Sequence, residues 1–191
     1  MAERAAAAFD RAVALVERGR DAQAVEAARE AKDLAPRSGV AREVLGIALY
    51  RTGRYPEALA ELLAYRRISG RLDQNHLIAD CHRAAGSMQK AVEAARQAVG
   101  ARIPDEHRAE AAIVGASALA DAGRTLEALS LLRSFRGRPS EGRDSALRVW
   151  YVTGDLLARL GRRDEAAAEF RRIVRHDPSA FDAAERLAEL S

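Results

Sequence analysis

Apolar residues recur along this chain three and four positions apart, in runs longer than strands tolerate. Leu45, Leu49 and Tyr50 share one helical face, and Gly53 supplies the left-handed residue that closes a helix at low steric cost. Pro56 follows where a second helix should begin, because a first-turn proline forfeits no hydrogen bond. Glu57 stands in the same turn, where a negative charge favours the exposed amides. Gly46 and Ala58 are small enough for two antiparallel helices to approach closely. The stretch 45–58 predicts a helical hairpin.

The same punctuation recurs. Gly19, Gly53, Gly86, Gly123 and Gly161 each follow a helical segment, at spacings of 34, 33, 37 and 38 residues. Each has an alanine five positions on: Ala24, Ala58, Ala91, Ala128 and Ala166. Self-similarity at this period predicts a stack of helix pairs, none of which can bury its apolar face alone. The expected pairs are Glu3–Arg18 with Asp21–Leu34, Val40–Thr52 with Tyr55–Ile68, and Leu72–Ala85 with Met88–Val99. Asp105–Ala122 with Leu126–Phe135 and Ala146–Leu160 with Asp164–Arg175 complete the five. Pro36, Gly70 and Asp177-Pro178 are read as stops. The extra residues fall in two connections, Gly100–His107 and Arg136–Ser145. After Pro178, Ser179 is read as the N-cap of a last helix, Ser179–Leu190. Phe181, Ala184, Leu187 and Ala188 form its apolar stripe, and Asp182, Glu185, Arg186 and Glu189 face away.

These residues resemble the tetratricopeptide repeat family. In the fifth unit Trp150, Gly154, Leu157, Gly161, Ala166, Phe170 and Pro178 are in register with its pattern; in the second, Leu45, Gly46, Leu49, Gly53, Tyr55 and Ala58. Ala12 stands where the first unit would carry the small glycine, and Tyr65, Phe135 and Ile173 replace a common alanine. The resemblance implies an all-α fold, a right-handed α-solenoid of five hairpins plus a C-terminal capping helix. One domain is expected over 1–191, with repeats at about 3–36, 37–70, 71–104, 105–139 and 144–178 and a cap at 179–190.

The resemblance also implies that the first helices form an inner, concave wall. The family's inward positions fall on Phe9, Val13 and Val16, then Glu43, Ile47 and Tyr50, then Asp73, His76, Asp80 and Arg83. Glu110, Ile113, Ser117 and Asp121 follow in the fourth unit, and Arg148, Tyr151, Asp155 and Arg159 in the fifth. The groove so defined is apolar at one end and of mixed charge along its body, which suits an extended or helical partner segment. Inward residues are not expected to pack neighbouring hairpins, so Tyr50, Arg83 and Tyr151 are read as free for binding. Family members that grip chaperone C-termini use lysines, asparagines and an arginine. Here the corresponding positions hold Phe9, Val13, Val44, Asp73 and Leu77, none of which pairs with a carboxylate.

The leading expectation is a non-enzymatic protein-interaction scaffold whose partner is an unidentified protein or peptide. One rival is a homodimer formed through the apolar N-terminal hairpin. Another is a nucleic-acid or transcription-linked module using the arginines of Arg133–Arg148, among them Arg136, Arg138 and Arg143; nucleic acid is disfavoured because no aromatics interleave to stack bases. His76, Asp80, Cys81 and His82 are the densest cluster of ligand types. His76 and Asp80 share a helix face but provide only two donors beside Arg83, so no metal is expected. With no phosphate loop and no nucleophile elbow, catalytic residues and cofactors are likewise expected to be absent.

Composition changes this picture little. The net charge of +3 is a small excess among 31 basic and 28 acidic residues. Arginine outnumbers lysine 29 to 2, which reads as the coding bias of a bacterial, actinobacterial-like genome. The lone Cys81 fits a reducing, cytoplasmic setting as a buried thiol. The N-terminus is too charged for a signal peptide, and no apolar stretch approaches a membrane span.

Overall fold

The computed structural model describes residues 1–135 and 144–190, so Arg136, Arg138 and Arg143 of the expected arginine loop lie outside the described residues. Eleven helices are described and no strand: an all-α, right-handed solenoid of five hairpins and a short capping helix. The hairpins are α1 (Ala2–Glu17) with α2 (Asp21–Leu34), α3 (Gly39–Arg51) with α4 (Tyr55–Ser69), and α5 (Asn75–Ala84) with α6 (Met88–Val99). They continue with α7 (Asp105–Asp121) and α8 (Thr125–Ser134), then α9 (Asp144–Arg159) and α10 (Arg163–His176); α11 (Ala183–Glu189) is the cap.

One turn chemistry closes every hairpin. Gly53 lies at φ +75°; its amide donates to the Tyr50 carbonyl, and the Arg54 amide reaches back to the Leu49 carbonyl, both at 2.9 Å. The same two bonds recur at Gly19, Gly86, Gly123 and Gly161, all left-handed. At three of the five turns the next residue is an arginine whose guanidinium grips the glutamate three positions on: Arg54–Glu57, Arg124–Glu127 and Arg162–Glu165. Gly53→Val is therefore expected to lower stability by about 1–2 kcal/mol, because a β-branched residue resists the left-handed region. A urea midpoint equal to wild type would contradict this.

Inside the hairpins, small residues set the spacing. A Cβ on Gly46 would stand 2.7 Å from Leu62, and one on Gly115 would stand 2.6 Å from Ala95 and 2.7 Å from Leu131. Alanines, leucines and valines fill most of the buried core that runs along the stack. Each first helix packs on its own partner helix and on the first helix of the next repeat, whereas the second helices meet mainly the first helices on either side. Ion pairs such as Arg29–Glu57 and Lys32–Glu61 bridge successive second helices at the surface.

Two elements depart from expectation. Helix α5 starts at Asn75 and not at Leu72, because Asp73 is held below its first turn. The buried Asp73 carboxylate accepts hydrogen bonds from the Tyr65 hydroxyl at 2.9 Å and from Arg71. This is why a tyrosine occupies a position where alanine is common. Asp73 is thus a core residue and not part of the inner wall, and Ile113 is buried as well.

The cap is also shorter than expected. Ser179 does not cap it; its amide and hydroxyl donate to the Asp177 carboxylate, making a local turn, and α11 begins only at Ala183. Phe181 precedes the helix at φ +56° and is 53% exposed, so it is no part of a buried helical stripe. Arg186 does not face away: it donates to Asp155 at 3.0 Å and lies 5.2 Å from the centre of the Phe170 ring.

Candidate functional site

The expected groove residues sit on the first helices, and most are joined across repeats. The Tyr50 hydroxyl on α3 donates to Asp80 on α5 at 2.7 Å, and burial together with this carboxylate raises its pKa. The other Asp80 oxygen accepts from Arg83 at 2.8 Å, and Arg83 also donates to Asp121 on α7 at 3.3 Å. Glu43 accepts from Gln74 at 2.9 Å, joining α3 to the residue that immediately precedes α5. Arg148 on α9 donates to Glu110 on α7, whose pKa burial pushes up despite this partner. Asp155 is shared between Arg159, at 2.9 Å, and Arg186 of the cap. Polar links therefore run from α3 through α5 to α7, and from α7 through α9 to the cap.

His76 does not project as a free ligand. Its Nδ1 lies 3.0 Å from the Asp73 carbonyl, its ring packs on His107 at 5.2 Å, and burial drops its pKa to about 4. Both Asp80 oxygens are engaged, as described. Among the described residues, no group of three or more His, Cys, Asp or Glu side chains is placed to hold a metal. Cys81 is buried on the core side of α5, and desolvation pushes its thiol up to about 12, which suits packing better than nucleophilic chemistry.

The remaining expected residues are less connected. Phe9 is half-buried and packs on Ala8, Ala31 and Ala41, while Val13, Ile47 and Ser117 are half-buried on α1, α3 and α7. Tyr151 packs edge-on to Phe170 at 5.8 Å and against Phe181 at 5.0 Å. Tyr50 and Tyr151 are thus structural as well as surface groups, and the expectation that they stand apart from packing is not met. The wall offers partly exposed guanidinium groups instead, with side-chain exposures of 37% at Arg83, 48% at Arg148 and 65% at Arg159.

Gln74, His107 and Arg186 were not legible as wall residues. Their signal would have been complementary side chains about one repeat apart, as in Glu43 with Gln74 and Asp155 with Arg186, both separated by 31 residues. Tyr50→Phe should remove the link to Asp80 and cost about 1–2 kcal/mol, the worth of a hydrogen bond to a charged group. In a double-mutant cycle with Asp80→Asn, measured by urea denaturation, that cost should shrink; strict additivity would show the link to be idle.

Among the described residues no helix is long and apolar enough to cross a membrane. Comparison with curated proteins gives no match. Solved structures that resemble the chain include tetratricopeptide repeat proteins. YrrB, a TPR protein with an unusual peptide-binding site, is 18% identical, with a TM-score of 0.65 over 93% of this chain and 89% of its own. TTC0263, a thermophilic TPR protein of Thermus thermophilus, is 18% identical with a TM-score of 0.68, over 97% of this chain and 98% of its own. MamA of Desulfovibrio magneticus RS-1 is 15% identical with a TM-score of 0.74, over 93% of this chain and 97% of its own. At such identities the likeness is one of fold. Family models described as tetratricopeptide repeats match residues 22–71 and residues 78–180, the second alone covering more than half of the sequence. With five hairpins closed by one turn chemistry and two family matches along them, the chain belongs to the tetratricopeptide repeat family.

Proposed function

We propose that this protein is a non-enzymatic interaction scaffold that holds a protein or peptide segment along the wall of its first helices. The family and its structural relatives support the broader statement, a protein–protein interaction scaffold. The observation that carries the finer one is the row of guanidinium groups, Arg83, Arg148 and Arg159, each positioned by a carboxylate yet a third or more exposed. An anchored arginine loses little further freedom on binding, and arginine is enriched among residues that dominate interface energies. The peptide-binding site of YrrB makes a peptide the first partner class to try.

The same reading takes the chain as a single solenoid domain without catalytic residues, acting in the cytoplasm. It is preferred to dimerisation through the N-terminal hairpin because Phe9, Val13 and Val16 are half-buried within the fold. Capture from a native lysate tests it. Arg148→Gln with Arg159→Gln should lose the partner, whereas Arg67→Gln with Arg171→Gln, at exposed positions of second helices α4 and α10, should retain it. Loss by the second pair alone would overturn the reading.

A further inference from the structure

The α9 helix has a second, largely apolar face, turned away from Arg148, Tyr151, Asp155 and Arg159. On that side Val149, Trp150 and Leu157 join Leu132 and Phe135 of the α8 region to line a cleft of about 460 Å³, closed below by Glu169 and Arg172 of α10. The cleft is large enough for a side chain with an apolar stem.

Its charges are unequally satisfied. The Arg172 guanidinium lies 3.8 Å from the centre of the Trp150 ring, and Arg133 pairs with Glu165 at 4.0 Å. Glu169 has no such partner among the described residues: its Oε2 is buried and receives no hydrogen bond from them. Burial raises the Glu169 pKa, with Arg172 and Arg133 offsetting this only through space. What a buried carboxylate oxygen needs is a donor, best a charged one, while the apolar lining needs a hydrocarbon stem. An anion would meet Arg133 and Arg172, but both are already engaged, and it would lie beside the Glu169 carboxylate.

We propose that the cleft between α8 and α10 receives a lysine or arginine side chain of a partner protein, its stem against Trp150 and Leu132 and its cationic head on Glu169. This site lies on a different face of α9 from the wall of first helices and does not rest on that reading.

Trp150 is the only tryptophan, so its fluorescence reports the cleft directly. Hexylguanidinium serves as the probe and hexanoate, of equal chain length, as the control. The expected result is a saturable change in emission with hexylguanidinium and none with hexanoate over the same range. Glu169→Gln should weaken the cation about tenfold, the loss of one charge-assisted hydrogen bond, with circular dichroism unchanged. An equal response to both probes would show an apolar cavity without charge selection and overturn the proposal, as would no saturable response or unaltered affinity in Glu169→Gln. Tenfold tighter cation binding in an Arg136→Ala, Arg138→Ala, Arg143→Ala variant would show that the chain supplies its own occupant, and would also overturn it. Should Glu169→Gln fail to fold, the contrast between cation and anion in the unaltered protein decides.

Discussion

Phe170→Ala is expected to destabilise the protein by about 3–5 kcal/mol, the range for emptying a large buried aromatic site. Phe170 is fully buried where three elements meet. Its ring lies so near Gly154 of α9 that a Cβ there would stand 3.0 Å away, Tyr151 meets it edge-on, and Arg186 of the cap lies over it. Collapse into the space is resisted because α9 and α10 are already held apart at the spacing the ring sets. Guanidinium unfolding monitored by circular dichroism should show a midpoint well below wild type. A loss under about 1 kcal/mol would mean that the ring is not the wedge between these helices.

The second large effect is removal of residues 179–191. The cap buries Ala183, packs Leu187 on the core, and fastens itself to α9 through Arg186 and Asp155. Without it, the fully buried Phe170 and Ile173 of α10 would meet water. Uncovering side chains of that size should cost about 2–4 kcal/mol. In a repeat array the loss is felt first by the nearest neighbour. Amide exchange should therefore quicken in α9 and α10 while α1 to α4 keep wild-type protection, and solubility should fall. Uniform exchange along the array, or a truncated chain that melts like the full one, would show that α11 is not a cap.

The hairpins were legible because their signals are local. A glycine at a helix end fixes its own backbone region, and the two reverse hydrogen bonds around it need only residues within one turn. Helices α2 and α6 have the bounds read from the sequence for that reason. Helix α5 does not, because its start depends on a contact with Tyr65 of the preceding hairpin. The start of the cap was missed in the same way. Its apolar period was sound, but the side chain of Asp177 diverts Ser179 into a turn and Phe181 leaves helical geometry.

The helix on which each expected wall residue lies was legible, and its pairing was not. Inward phase can be carried over residue by residue, and it placed Tyr50, Asp80, Arg83, Arg148 and Asp155 on first helices. Which carboxylate each arginine meets depends on the offset between neighbouring repeats. That offset varies with the inserted residues, as the separations of 30 for Tyr50–Asp80 and 38 for Arg148–Glu110 show. The links make the wall part of the stack. Its charges are pre-oriented, and on the proposed reading a partner would have to complement them or leave them paired with one another.

The central claim is that this wall, and not the opposite side of the solenoid, binds a peptide. A direct test is titration by fluorescence anisotropy of a labelled peptide selected from a random library on the unaltered protein. The same peptide is then titrated into Arg148→Gln with Arg159→Gln and into Arg67→Gln with Arg171→Gln. Binding is predicted to weaken about a hundredfold in the first pair, as expected for truncating two anchored arginines at an interface, and to remain within about twofold in the second. Equal affinity for the first pair, or a loss confined to the second, would contradict it.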